Sequence, residues 1–404
     1  MPDTALTGAA EWCKLTVFQN LDELCGGAER LAIAASGGSD STALLLLAQE
    51  WAGRTNTSLV VFTVDHDLRD EAADEARWVE QLCSTLGVEH QTLKWAKSAH
   101  GASRARTARH TLLAEAARAK SARHILLGHT LDDQIETYLI RKQQGSKAFG
   151  LGGMDRAAPS PVWPAGHGIT LIRPLLDCRR DALRRVLRSR RVAWIDDPTN
   201  SDHNFERVRV RAALTSDPAL AEAALEQQHR CQQMRRGELV CRAHLLRDTA
   251  TVEADGKIVF SPGSCPSDRL AACLGILIQI AAGHDRQLRS ANLKSLADAW
   301  LESRLDKVVT YGGAWLQRVV DHLVIGRDPG EVDRQITPDG IWDGRFGRAE
   351  SDMPTSDHRL QRRTLPPEDR RWRALGAVRL AHMCDIWCTA NEKHATEWSE
   401  ESFS

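Results

Sequence analysis

The 404-residue chain has no apolar run long enough to cross a bilayer. Its longest, Leu270 to Gly283, contains Gln279 and falls short of the roughly 20 residues that a spanning helix needs. The N-terminal stretch lacks a basic start followed by an apolar segment, so no signal peptide is expected, and the protein is expected in the cytoplasm. The ten cysteines include no C-x-x-C pair. Cys384 and Cys388 stand closest, without a partner pair or suitably spaced histidines. That argues against a disulfide framework and a zinc site, and predicts reduced thiols and no structural metal. Tyrosine is nearly missing, with two against twelve tryptophans. Lysine supplies only 10 of the 53 basic residues, leaving 43 arginines. Net charge is almost absent too, at −1, which at first argues against a nucleic-acid partner.

The distribution of charge reverses that argument. Residues 1–100 carry 7 basic and 15 acidic side chains, a balance of −8. Residues 101–211 carry 21 against 11, or +10, and the remainder 25 against 28, or −3. A basic middle segment rich in arginine suits phosphate and base recognition, because the guanidinium fork matches both. With 42% apolar and 26% charged residues, the chain reads as globular, and its length allows two or three domains.

The first 212 residues alternate short apolar runs with helical patterns. Leu31–Ala35, Leu59–Val64 and His124–Leu127 read as strands. Stretches 41–52, 71–86, 105–120, 132–142 and 179–191 read as helices, the last strongly basic. Residues 145–170, rich in Gly and Pro, read as a long loop. This order predicts an α/β fold with a doubly wound parallel sheet. Residues 218–250 and 267–302 read as helical, and β-like patterns start at Lys307. Three domains are expected: 1–212, a helical 213–305, and a small α+β 306–404 whose end reads as disordered.

The strongest motif is Ser36-Gly37-Gly38-Ser39-Asp40-Ser41, between a strand and a helix. Two glycines allow close backbone approach to a ligand. Successive N–H groups opening a helix make an anion nest, and three serines add hydroxyl donors. Asp40 has reason to face phosphate only across a cation, so it is assigned to Mg²⁺. The G-K-[ST] ending of a Walker A loop is absent. The second constellation is Gly128-His129-Thr130-Leu131-Asp132-Asp133-Gln134-Ile135-Glu136-Thr137. His129, Asp133 and Glu136 are spaced to share one helix face, at the strand end where such sheets bind ligands. Clustered carboxylates suit a metal, an ammonium group or a base; a capped helix start explains Asp132 and Asp133 but not His129 or Glu136.

The first motif resembles the S-G-G-x-D-S signature of PP-loop ATP pyrophosphatases. With the second, it resembles the tRNA(Ile)-lysidine synthetase family, and the likeness continues in order. Val64-Asp65-His66-Asp67-Leu68-Arg69, Ala105-Arg106-Thr107-Ala108-Arg109-His110, Gly150-Leu151-Gly152-Gly153-Met154, Arg173-Pro174-Leu175-Leu176 and Asp197-Pro198-Thr199-Asn200 all match family segments. So does Trp342-Asp343-Gly344-Arg345-Phe346 of longer members. Departures are Asp67 for Gly, His110 for Tyr, Thr130 for His, and Gln144-Gly145-Ser146-Lys147 for R-G-S-G.

The resemblance implies a PP-loop fold and a ligase. ATP would adenylate C2 of the wobble cytidine of a CAU-anticodon tRNA(Ile), and free L-lysine would displace AMP. The resulting lysidine would shift decoding from AUG to AUA. Ser36–Ser41 would hold ATP, with Asp40 on Mg²⁺; His129, Asp133 and Glu136 would serve lysine and catalysis. Arg106, Arg109, Arg180, Arg207, Arg209 and Arg211 would meet tRNA or phosphate, the last three alternating as on a strand or extended arm. Trp194 is the one tryptophan singled out, for base stacking. A thiolase on the same fold and an inactive tRNA-binding protein are the alternatives. Among protein partners, only a homodimer is considered.

Overall fold

A computed structural model describes residues 4–65, 71–95, 102–196, 206–333, 341–348 and 372–391. The expected turn at Asp197–Asn200, the segment His66–Arg69 and the expected disordered end lie outside the described residues. The chain divides into two compact units. The first takes residues up to Ser160 and Ile169–Gly237; the second takes Pro161–Gly168 and the described residues from Glu238 on.

The first unit is built on a six-stranded sheet. Its strands are β1 (Arg30–Ala34), β2 (Ser58–Asp65), β3 (Glu89–Lys94), β4 (His124–Leu127), β5 (Ala157–Pro159) and β6 (Thr170–Ile172). They lie in the order β3-β2-β1-β4-β6-β5, all parallel except the β5–β6 pair. The helices are α1 (Thr4–Cys25), α2 (Ser39–Thr55), α3 (Glu71–Leu86), α4 (Ala102–Ala119), α5 (Leu131–Gln143), α6 (Ala148–Leu151), α7 (Arg180–Ser189), α8 (Glu206–Ser216) and α9 (Pro218–Thr249), which runs on into the second unit. Leu31, Ala32 and Ile33 of β1 are fully buried, as are Val60, Val61 and Phe62 of β2. Near-continuous apolar runs of this kind belong to strands covered on both faces. The chain reverses direction across the sheet between β1 and β4, with Ala34 level with Leu127. Two loops therefore leave adjacent strands at the same sheet edge, the place where open α/β sheets form a ligand crevice.

Several local expectations change. Arg207, Arg209 and Arg211 lie on helix α8, not on a strand or extended arm. Period-two alternation over five residues is too short to decide, and packing of α8 against α5 settles it. The expected loop at 145–170 contains the short helix α6 and the edge strand β5. Strand β3 escaped the pattern because its sequence EHQTLK is mostly polar, as the sheet edge permits. Helix α1 also lacked a clear sequence signal.

The second unit contains a five-stranded antiparallel sheet in the order β7-β8-β11-β10-β9: β7 (Ala250–Val252), β8 (Ile258–Phe260), β9 (Val309–Tyr311), β10 (Ala314–Val319) and β11 (His322–Arg327). The expected helical span 267–302 is two helices, α10 (Ser267–Ala282) and α11 (Ser290–Leu301), broken at Gly283 in a left-handed conformation. Strands β12 (Ile341–Trp342), β13 (Phe346–Arg348) and β14 (Trp372–Ala374) form a third sheet, followed by α12 (Leu375–Asn391). The turn between β12 and β13 is the Trp342–Phe346 motif. Its buried Asp343 accepts from Arg345 Nε at 2.6 Å, Arg327 Nη2 at 3.0 Å and the Asp333 amide at 2.6 Å, so the motif is an internal strut.

Candidate active site

The loop after β1 turns into α2 through Gly37, whose φ of +80° is left-handed. Gly38 caps the helix with no side-chain bond to its first amides, and Gly38 to Ser41 border the crevice. Ser41 Oγ donates to the Gly38 carbonyl at 3.1 Å and accepts from the Ser36 amide at 3.2 Å, so it closes the loop on itself. Ser39 Oγ donates to Asp40 Oδ1 at 3.1 Å. The loop after β4 runs alongside. A methyl group on Gly128 would stand 3.1 Å from the Ser41 Cα and amide, tighter than ordinary packing, so glycine lets the two loops run this close without a shift. Thr130 caps α5: its hydroxyl accepts from the Asp133 amide at 3.4 Å, while Asp133 Oδ2 accepts from the Thr130 amide at 2.8 Å. The threonine that departs from the family pattern completes this capping box.

Between the two loops lies a cleft of about 550 Å³, within the size range of small-molecule sites. Ser36, Gly38 to Ser41, Arg109, His129, Asp133, Arg180 and Arg211 all line it. Its centre is a single guanidinium. Arg180, the first residue of α7, donates from Nε to Asp40 Oδ2 at 2.9 Å, from Nη2 to Asp133 Oδ1 at 3.1 Å and from Nη1 to Glu136 Oε1 at 3.3 Å. Its own backbone amide donates to Asp132 at 2.7 Å. Three carboxylates from two motifs nearly a hundred residues apart thus meet on one cation. Glu136, only 1% exposed, also takes Arg211 Nε at 2.7 Å and lies 4.0 Å from Arg207 Nε. Spacing of four places Arg207 and Arg211 on one face of α8. Arg209, two residues from each, is exposed and does not line the cleft.

The electrostatics separate the acids. Burial lifts the Asp40 carboxyl above its ordinary range despite Arg180. Burial also pushes Asp133 upward, but the Arg180 charge and the Thr130 amide outweigh it, so this carboxyl titrates below its ordinary range. Burial works against the Arg180 proton, yet Asp40 and Asp133 hold it more tightly than usual. Beside the cleft, a recess of about 200 Å³ is lined by Arg106, Arg109, His110 and His129. Burial, with the charge of Arg173 adding to it, drives His129 down to about 3. Burial and the charges of Arg106, Arg109 and Arg173 drive His110 down to about 4. Both imidazoles are therefore neutral at pH 7, and the Nδ1 of each is buried without a hydrogen-bond partner among the described residues.

Sequence reasoning counted Arg184 only among the arginines of the basic 179–191 helix and did not place it at the phosphate loop; it follows Arg180 by one helical turn, and its Nε stands 3.4 Å from Ser39 Oγ. The i, i+4 spacing was the available signal. It also missed Asp196 in the cleft lining. Trp194 packs under Arg184 and Arg188, each guanidinium 5.8 Å from the ring, and its indole donates to Asp196 at 3.0 Å.

Residues 13–217 match the model of the PP-loop domain family. A tRNA(Ile)-lysidine synthase of Hyphomonas neptunium is 39% identical over 319 residues, which cover 78% of this chain and 87% of that protein. A tRNA(Ile)-lysidine synthase of Mesorhizobium japonicum is 39% identical over 344 residues, covering 79% and 72%. The matched PP-loop region holds both loops of the cleft and all three carboxylates on Arg180. The chain belongs to the tRNA(Ile)-lysidine synthase family and carries its PP-loop domain at residues 13–217.

Proposed function

We propose that the protein ligates L-lysine to C2 of the wobble cytidine in a CAU-anticodon tRNA(Ile), in two steps. The C2 oxygen attacks the α-phosphorus of ATP, and pyrophosphate leaves. The lysine ε-amine, having lost its proton, then attacks C2; the C2–O bond breaks and AMP departs with the oxygen. Lysidine results, and decoding moves from AUG to AUA.

The observation that carries this reading is the guanidinium seated on Asp40, Asp133 and Glu136 beside the phosphate loop. A cleft that holds one cation on three carboxylates is chemically suited to hold another, and a substrate ammonium is the matching ligand. Asp133, kept ionised by its neighbours, anchors the ammonium; Glu136 shares the charge. His129 is neutral and serves as a hydrogen-bonding partner rather than a cation. The amides of Gly38 to Ser41 bind phosphate, with Arg109 and Arg184 adding charge. The donor set also fits Mg²⁺, which needs only one or two carboxylates beside substrate phosphates and its own waters. Asp40 would hold it, and bound Mg²⁺ would neutralise phosphate charge. Arg106, Arg207 and Arg209 are assigned to tRNA phosphates. The reaction belongs to the cytoplasm, where tRNA and free lysine meet.

The test is AMP release from ATP by the purified chain with CAU-anticodon tRNA, with and without lysine. Lysine should raise AMP release, and nucleoside mass spectrometry should find lysidine at the wobble position. Asp133→Asn should lower lysine-dependent AMP release by about 100-fold or more while tRNA binding persists. Equal AMP release with and without lysine refutes the proposal.

A further inference from the structure

Glu136 has no room for a cation beyond the arginines already on it. Its Oε1 accepts from Arg211 Nε at 2.7 Å and from Arg180 Nη1 at 3.3 Å, and its Oε2 accepts from Arg211 Nη2 at 3.3 Å. Arg207 Nε lies 4.0 Å away. Three arginines and the three carboxylates Asp40, Asp133 and Glu136 balance in charge. A substrate ammonium added to this set brings one unbalanced positive charge into a site where Glu136 is 1% exposed, which is costly in a medium of low polarity.

Positive charge must therefore leave Glu136, and the structure distinguishes the three arginines. Arg180 is tied to all three carboxylates, with 19% of its side chain exposed. Arg211 and Arg207 touch only Glu136 among these acids, and their side chains are 31% and 51% exposed. They project from one face of α8. An exposed guanidinium exchanges a carboxylate for a phosphate at small cost, because the same two-pronged contact suits both.

We propose that Arg207 and Arg211 are exchanged between Glu136 and the RNA backbone, so that tRNA docking on α8 vacates Glu136 for the substrate ammonium. In the RNA-free protein the two arginines cover the seat. With RNA bound they turn to phosphate, and lysine enters beside the adenylation site. Because coupling between two ligands is reciprocal, lysine tightens tRNA binding by the same factor. The inference rests on the assignment of lysine to Asp133 and Glu136.

Isothermal titration of L-lysine into the full chain, without ATP, tests it. Saturating CAU-anticodon tRNA should tighten lysine binding by about tenfold, within the usual range of coupling between sites. Arg211→Gln should bind lysine about tenfold more tightly than wild type without RNA, and gain less than about threefold from RNA. Arg211→Lys, which keeps the charge but loses the two-pronged contact, should fall between and guards against a misfolded Gln variant. Equal lysine affinity in wild type with and without tRNA overturns the exchange, as does an Arg211→Gln chain that folds and binds lysine no better. A third arm replaces tRNA with a non-hydrolysable ATP analogue. If that analogue alone gives the full gain and tRNA adds none, ATP is the phosphate source and the RNA coupling is overturned. Lysine-dependent AMP release with uncoupled binding refutes the exchange alone; no lysine binding in any arm refutes the lysine assignment as well.

Discussion

Replacing His110 with glutamine should flatten the acid dependence of stability. His110 is 8% exposed, and burial together with Arg106, Arg109 and Arg173 brings its folded-state value to about 4, against an ordinary 6.5. Between these values the unfolded chain carries a proton that the folded chain lacks. Stability is thus complete above the ordinary value and is lost as pH falls toward the folded one. One pH unit in this window corresponds to about 1.4 kcal/mol per such group, so the full span costs about 3 kcal/mol. Glutamine does not titrate there. Its static cost, from a different shape and its own polar atoms, is the same at every pH and drops out of the comparison. Denaturant unfolding of wild type and His110→Gln between about pH 7.5 and 4.5 should therefore show a variant whose stability falls less steeply by about 1 kcal/mol per pH unit. Parallel stability curves would refute the claim that this imidazole is held neutral.

Two further outcomes follow from the same geometry. Gly128→Ala should lose affinity for ATP analogues and melt earlier, by about 1–3 kcal/mol in stability, because its methyl group would stand 3.1–3.2 Å from backbone atoms of Ser41 and Asp40 and push the two loops apart; calorimetry and a thermal melt check both. Arg207→Ala should weaken tRNA binding for any sequence and reduce the slope of log affinity against log salt by about 0.7–0.9, measured by fluorescence anisotropy at several salt concentrations.

What the sequence disclosed was local. The run Ser36–Ser41 needs only its own glycines and flanks to announce a phosphate loop. Helical spacing alone puts Asp133 and Glu136 on one face of α5, as the structure has them. The pairing of Asp40 with Arg180, 140 residues apart, has no local signature. It depends on α7 starting opposite both loops, a product of the sheet order. The helix α8 was illegible for a different reason. Val208 and Val210 alternate with arginines in the manner of a strand, and both valines are buried. Only contact with α5 reveals that Arg207 and Arg211 share a face and that Arg209 does not.

The preference for arginine over lysine acquires chemical sense at this cleft. Arg180 satisfies three carboxylates at once because its planar fork spreads five donors over two edges; a lysine ammonium offers three from one point. A second consequence concerns reactivity. An amine seated on these acids next to an activated cytidine is, on the proposed mechanism, a nucleophile as soon as it loses a proton. A protein lysine at position 180, seated on all three acids, would sit where the substrate amine must sit, and would compete for the same carbon. A guanidinium keeps its proton at any accessible pH, and the Asp40 and Asp133 charges strengthen that hold in Arg180. The resident cations can therefore neutralise the acids, release them and contact phosphate without reacting. Free lysine is left as the titratable amine that can enter the site, so the composition of the cleft favours attack by substrate over attack by the enzyme itself.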